Sequence, residues 1–256
     1  MLYNYHTHTF RNHHSTGTER EYIETAISCG FHTLGFSEHA PYRFQNGYVS
    51  AYHLQPADLP DYARSILALK EEYAGRVEIL LGYEAEFYPA LFDDLLSFIK
   101  SYPVDYMILG QHFSKNEYDG LPYGAATKER AVLQTYVDQC IAGLQTGCFT
   151  YLAHPDLVDF RGEDAVYEDE MRRLCVAAKE LDIPLEINVL GLRTGRCYPS
   201  ERFFCIAKSC GNTIIAGLDA HDVGAIYQPE YYAPYHKLVT ACSLDVTDTP
   251  ALRSLY

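Results

Sequence analysis

The chain has 256 residues with 34 Asp or Glu against 20 Lys or Arg, a formal net charge of -14. That balance argues against a sequence-independent nucleic-acid binder, which needs a basic footprint for the phosphate backbone. A hydrophobic content of 48% with 21% charged residues is that of a globular protein, and no window approaches the roughly 20 apolar residues that span a bilayer.

Eleven His, 23 Tyr and no Trp are the unusual counts. The eight cysteines lack CxxC pairing and do not read as a disulfide framework or a zinc ribbon. With no leader-like stretch before His6, the chain is expected to be cytoplasmic, with reduced thiols that mostly fill the core.

A short apolar run, a loop and an amphipathic helical pattern recur along the chain. Leu2 to Tyr5 is the first predicted strand. Thr18 with Glu21 makes a capping box for a helix that ends at Gly30. Thr33 to Ser37 is the second strand. A helix around Tyr62, Ile66, Leu69 and Tyr73 stops at Gly75 and precedes the third, Val77 to Tyr83. A helix from Leu91 to Lys100 leads to the strand Tyr106 to Leu109, and a long one from Lys128 to Gln145 leads to Thr150 to Ala153. Tyr167 to Leu181 feeds Leu185 to Asn188, and Ser200 to Cys210 feeds Thr213 to Gly217. About seven strands alternating with helices predict a parallel α/β sheet. Length and repeat count favour a closed barrel in a single domain over residues 1–256. No GxGxxG follows the first strand and no Walker A sequence occurs, so a nucleotide-binding reading lacks support.

Six of the seven predicted strands deliver a His, Glu or Asp at the C-terminal edge: His6-Thr7-His8, Glu38-His39, Glu84, His112, His154 with Asp156, and Asp219 with His221. In an α/β barrel that edge is one rim, where active sites assemble. In an extended segment His6 and His8 point to the same side, and Asp219 and His221 share that spacing. Imidazole with carboxylate suits Zn, Fe or Mn. His6, His8, His14, His39, Glu84, His112, His154, Asp219 and His221 are nine candidate ligands. That number suits two or three ions. His13 stays an alternative beside His14. Glu38 and Asp222 are expected to hydrogen-bond to ligands, and Glu86 to support the site or meet substrate. His32, His53 and His236 read as ordinary surface or half-buried residues.

The motifs HTHT from His6, SEHAPY from Ser37, GYE from Gly82, GQHF, AHPD and LDAHD occur in an order that resembles the polymerase-and-histidinol-phosphatase (PHP) superfamily over essentially the whole chain. Arg11 to Glu24 and Ile187 to Arg193 look like its monofunctional histidinol-phosphate phosphatases. The resemblance implies a distorted (β/α)7 barrel with a trinuclear cluster. Carried over, one ion would take His6, His8, Glu84 and Asp219, a second Glu84, His112 and His154, and a third His14, His39 and His221. His6, His8, Glu84, His112, His154, Asp219 and His221 would then form the catalytic centre. Glu38 stands where many relatives carry Asp, and Phe10-Arg11-Asn12 where Pro and Cys are common; neither departure touches a ligand.

The chemistry so implied is hydrolysis of L-histidinol phosphate, a step of histidine biosynthesis, by in-line attack of a metal-bound hydroxide on phosphorus. Phosphate recognition needs fixed positive groups, and the arginine fork suits it. Arg161 and Arg193 lie in loops on the predicted rim and are expected to bind the phosphate, with Arg11 and Arg196 in lesser roles. A small phosphate ester is the expected partner, without nucleic acid or membrane. Oligomeric state is not set by the sequence. The alternatives are a PHP phosphoesterase acting on another small phosphate ester or nucleotide, and a non-catalytic metal-binding barrel.

Overall fold

The strands line up in parallel because helical segments carry the chain back between them. A computed structural model describes residues 2–227 and 232–256. β1 (Tyr3–Asn4), β2 (Thr33–His39), β3 (Glu78–Ala85) and β4 (Tyr106–Leu109) form one four-stranded ladder in chain order. The helices α1 (Glu19–Ser28), α2 (Leu59–Glu72) and α3 (Phe92–Ile99) intervene. After α4 (Arg130–Gln145) and α5 (Asp164–Glu180) comes β5 (Leu185–Asn188), then the short α6 (Val189–Thr194) and α7 (Glu201–Cys210), and β6 (Ile214–Gly217). The chain continues through α8 (Gly224–Tyr227) and α9 (Tyr232–Ala241) to β7 (Val246–Thr247), which pairs in parallel with β6. The result is one mixed α/β domain around a curled parallel sheet.

One expected strand needs correction. Residues 150–153 do not form a ladder strand: the segment makes only single-residue bridges, from Leu152 to Leu109 on one side and to Leu185 on the other. The chain bends away directly afterwards, where His154 takes a positive φ of 29°. β7 is not foreshadowed in the sequence either, since two residues carry no alternation. At the other seam Thr7 bridges to Ala220, and the amides of Ala220 and His8 reach the His6 and Ala220 carbonyls at 3.1 and 2.9 Å.

Local signals explain the elements. Thr18 caps α1 while Glu21 reaches back to the Thr18 amide at 2.7 Å, the expected capping box. Along β4, Tyr106 and Ile108 face an inner cluster with Tyr5, Leu80, Tyr151, Ala153 and Ile215, while Met107 and Leu109 face the helices. Burial on both faces gives the near-continuous apolar runs of a parallel sheet. The Tyr106 side chain needs two glycines: a Cβ on Gly35 would lie 2.3 Å from its hydroxyl, and one on Gly82 2.3 Å from its ring. No helix among the described residues is long and apolar enough to cross a membrane. All eight cysteines are free; Cys140, Cys175 and Cys242 are buried in the core, Cys29, Cys148 and Cys210 are half-buried against it, and Cys197 and Cys205 are exposed.

Candidate metal centre

The parallel register carries the strand ends to one place. His39 sits opposite Glu84 across β2 and β3, and Glu84 opposite Ile108 across β3 and β4. Glu84 is the hub. Its Oε1 lies 2.8 Å from His154 Nε2 and 3.6 Å from His112 Nε2. Its Oε2 lies 3.0 Å from His39 Nδ1, 3.3 Å from His8 Nε2 and 3.4 Å from His6 Nε2. Asp219, at a backbone φ of 49°, brings Oδ1 within 3.4 Å of His6 Nε2 and 3.3 Å of both His8 Nε2 and His221 Nδ1. His14 Nε2 lies 3.1 Å from His221 Nε2. All nine residues singled out from the sequence therefore meet in one cluster; His13 and His14 are both exposed, and it is the His14 ring that reaches His221.

Several outer ring nitrogens are held so that the inner one faces the cluster, the arrangement that fixes a ligating imidazole. His6 Nδ1 lies 2.8 Å from Glu186 Oε1, and His112 Nδ1 2.9 Å from Glu86 Oε1. His14 Nδ1 lies 2.9 Å from the Asn12 carbonyl. Glu38 holds no ring in this way. Its Oε1 accepts from the Thr9 amide and hydroxyl at 2.7 and 2.6 Å, and His8 Nδ1 is 4.0 Å from Oε2.

Electrostatics test whether these residues suit cations. Among the described residues, every ion-pair partner of Glu84 and Asp219 is a histidine. Burial would raise both carboxyls, but the charge of His6 beside both, with His112 and His154 around Glu84 and His8 beside Asp219, holds them well below the usual range. Burial drives His39 far down, and His221 to about 4, so both rings stay neutral. Burial opposes the charged form of His8, yet the adjacent Asp219 and Glu84 carboxylates push it up to about 9. His6 Nε2 and His8 Nε2 are buried without a hydrogen-bond partner although they face those carboxylates. Two ionised acids, neutral imidazoles and unpartnered nitrogens on one side suit divalent cations better than protons. Four ligand triplets have donor atoms within 4.8 Å of one another: His6–His8–Asp219, His6–Glu84–His154, His39–Glu84–His112 and His8–His39–His221. His39 therefore stands with Glu84 and His112 as well as with His221, a sharing that the family-based partition does not contain.

The cluster floors a cavity of about 950 Å³. Arg161 lines it, its guanidinium 2.7 Å from Asp159. Arg196 lines it too, over the ring of Tyr198, whose centroid lies 5.6 Å from that of His154 with the rings tilted by 55°. The expectations for Arg11 and Arg193 require correction. Arg11 is turned onto Glu19 and Asp61, Arg193 pairs with Asp222, and neither is among the described lining residues. Asp222 thus engages an arginine rather than a ligand. Loop spacing does not set side-chain direction, and Arg193 ends up on α6, a helix that the sequence pattern does not announce.

Sequence reasoning missed Glu186, His53 and two glycines. Glu186 is fully buried and also accepts from the His154 amide at 3.0 Å and from Asn188 Nδ2 at 2.9 Å. An acid inside the apolar strand 185–188 is the available signal. His53, expected at the surface or half-buried, is 2% exposed and sits between two acids. Burial opposes its charge, yet Glu86 and Glu117 outweigh that and push it up to about 10. A Cβ on Gly110 would lie 1.9 Å from Glu84 Oε1, and one on Gly217 1.8 Å from Glu186 Oε1. His32 and His236 are exposed, as expected.

A family model described as PHP domain matches residues 4–189. The chain is 29% identical over 230 residues to the "Probable histidinol-phosphatase" of Deinococcus radiodurans, covering 86% of each. It is 29% identical over 258 residues to the histidinol-phosphatase of Bacillus subtilis, covering 87% of this chain and 96% of that one. Among solved structures, the histidinol phosphate phosphatase of Lactococcus lactis complexed with zinc, L-histidinol and phosphate superposes with a TM-score of 0.73 at 21% identity, over 98% of this chain and 96% of that one. That likeness is one of fold. With almost three-quarters of its length matched and a histidine–carboxylate cluster at the strand ends, the chain belongs to the PHP domain family.

Proposed function

We propose that the chain is a metal-dependent phosphomonoesterase that hydrolyses L-histidinol phosphate to L-histidinol and phosphate, a step of histidine biosynthesis carried out in the cytoplasm. The carrying observation is the convergence of nine ligand-type side chains, two of them buried acids whose ion-pair partners among the described residues are all imidazoles. The names of the relatives in Deinococcus radiodurans and Bacillus subtilis select the substrate. In this reading residues 1–256 act as one catalytic domain. The strands β1 to β6, with the bridging segment at Leu152, are the staves of a distorted (β/α)7 barrel, supported by the bridges Leu109–Leu152–Leu185 and Thr7–Ala220.

Two or three divalent ions of Zn, Fe or Mn would be held by His6, His8, His14, His39, Glu84, His112, His154, Asp219 and His221. Bound ions supply Lewis acidity, which brings the pKa of water towards neutrality and offsets phosphoryl and leaving-group charge. Glu84 divides the cluster, offering Oε1 to His112 and His154 and Oε2 to His6, His8 and His39. Arg161 and Arg196 face the same cavity and fit a phosphate there. Asp159 holds the Arg161 fork in place at 2.7 Å. Leu157, Leu190 and Phe113 give the cavity an apolar wall for the rest of the substrate. The net charge of -14 disfavours polynucleotide esters.

The test is steady-state turnover of metal-loaded protein against a panel of phosphate monoesters, with metal content measured alongside. Histidinol phosphate should give the highest kcat/KM. Equal or better turnover of nucleotides would replace the substrate, and metal-replete protein inert towards every ester would replace the enzyme reading with a metal-binding barrel.

A further inference from the structure

His53 lies outside the cluster, in the segment between β2 and α2, yet three rim segments meet on its ring. Its Nε2 lies 3.0 Å from Glu86 Oε2, just past β3. Its Nδ1 lies 2.9 Å from Glu117 Oε2, in the loop after β4, and 3.0 Å from Ser50 Oγ in its own segment. The second Glu86 oxygen lies 2.9 Å from His112 Nδ1, and His112 Nε2 faces Glu84. A continuous chain of hydrogen bonds thus runs from Glu117 through His53 and Glu86 to a ring at the cluster.

The segment itself is stapled in place around this chain. Tyr48 donates its hydroxyl to Glu117 Oε1 at 2.9 Å. The His53 amide donates to Ser50 Oγ at 2.8 Å, and the Leu54 amide to the His39 carbonyl at 3.0 Å. Tyr42 donates to the Glu86 carbonyl. Glu86 is 1% exposed at the edge of the cavity, and among the described residues its carboxylate is held by the two histidines alone.

We propose that His53 is a positioning residue for His112: by holding Glu86 from the far side, it fixes the ring plane and the nitrogen that His112 presents to the cluster. Glu117 in turn anchors His53 and locks the segment before α2 onto the rim. Outer partners of ligating histidines typically contribute about 10–100-fold to metal affinity or activity. The activity readout rests on the phosphatase reading; the metal readout does not.

A double-mutant cycle separates positioning from general support of the fold, because groups acting through one another are not additive. His53→Ala, Glu86→Ala and the double variant are compared with the parent chain. Zinc affinity is read by competition with a chromophoric chelator, and kcat/KM with histidinol phosphate. His53→Ala should weaken zinc binding and lower kcat/KM by about 10-fold or more. In the Glu86→Ala background the same change should add less than about 2-fold, and His53→Gln, which keeps a donor towards Glu86, should recover part of the loss. Multiplicative losses in the cycle, or parental zinc affinity in His53→Ala, overturn the proposal. Should His53→Ala fail to fold, Glu117→Gln is put through the same cycle: a loss that disappears in the Glu86→Ala background supports the relay, and one that persists overturns it. A parent chain that binds zinc but leaves histidinol phosphate intact overturns the substrate reading alone, and the zinc cycle still decides the role of His53.

Discussion

Replacing Gly110 by alanine should disable the cluster while leaving the chain folded. The added Cβ would stand 1.9 Å from Glu84 Oε1 and 2.6 Å from its carboxyl carbon, where contacts below 3.0 Å are essentially never seen. Relief therefore requires the carboxylate to move by about 1.1 Å. It cannot swing freely, because Oε1 is held 2.8 Å from His154 Nε2 and Oε2 3.0 Å from His39 Nδ1. A displacement of about 1 Å at reacting groups costs on the order of 100-fold in rate, or about 2.7 kcal/mol of barrier. Crowding a packed site destabilises by about 1–3 kcal/mol, which lowers Tm by roughly 2–4 °C per kcal/mol at this size. The assay is kcat/KM with metal stoichiometry and Tm on the same preparation. A parental kcat/KM and full metal content in Gly110→Ala would refute the claim that Glu84 is confined by its neighbours.

Further outcomes follow from other residues. His6→Ala, Glu84→Ala and Asp219→Ala should each abolish turnover and lower metal content with circular dichroism unchanged; retained activity removes that residue from the ligand set. Arg196→Ala should raise KM by about 10-fold, a lost charge-assisted hydrogen bond, and more than Arg193→Ala, whose guanidinium is committed to Asp222; the reverse order would return Arg193 to the phosphate pocket. Burial pushes the Asp156 carboxyl up to about 7 from an ordinary 3.8. The folded chain then holds a proton there that the unfolded chain has lost between about pH 4 and 7, so this group's contribution to stability falls as pH rises through that window. Asp156→Asn stays neutral and still accepts from the Ser200 amide, so its Tm relative to the parent should rise from pH 4 to pH 8. A constant difference would refute the buried neutral acid.

The rim was legible because parallel topology turns a one-dimensional fact into a spatial one. A His or acid at the end of each apolar run must reach the same end of the sheet, whatever the exact strand boundaries. That reasoning survived even where a strand did not form: residues 150–153 make only bridges, yet they deliver His154 to Glu84 at 2.8 Å. What stayed hidden depends on neighbours in space. His53 takes its meaning from Glu86 and Glu117, which arrive from two other loops. Gly110 and Gly217 matter only because the carboxylates of Glu84 and Glu186 lie across them. Arg161 reaches the cavity as expected, but Arg11 and Arg193 do not, because a loop position fixes neither the backbone that forms there nor the acid it meets. Arg193 falls on α6, while Arg196 lies just beyond the left-handed Gly195 that ends it.

The bridge from Thr7 to Ala220, with Glu186 clasping both the His6 ring and the His154 amide, has a consequence for the life of the chain. On the ribosome, an N-terminal segment carrying His6 and His8 emerges long before the partners that complete its surroundings. The complete cluster therefore exists only once the chain has been made through His221. A product terminated before Asp219 would lack Asp219 and His221, and with them two of the four triplets, while keeping the two centred on Glu84.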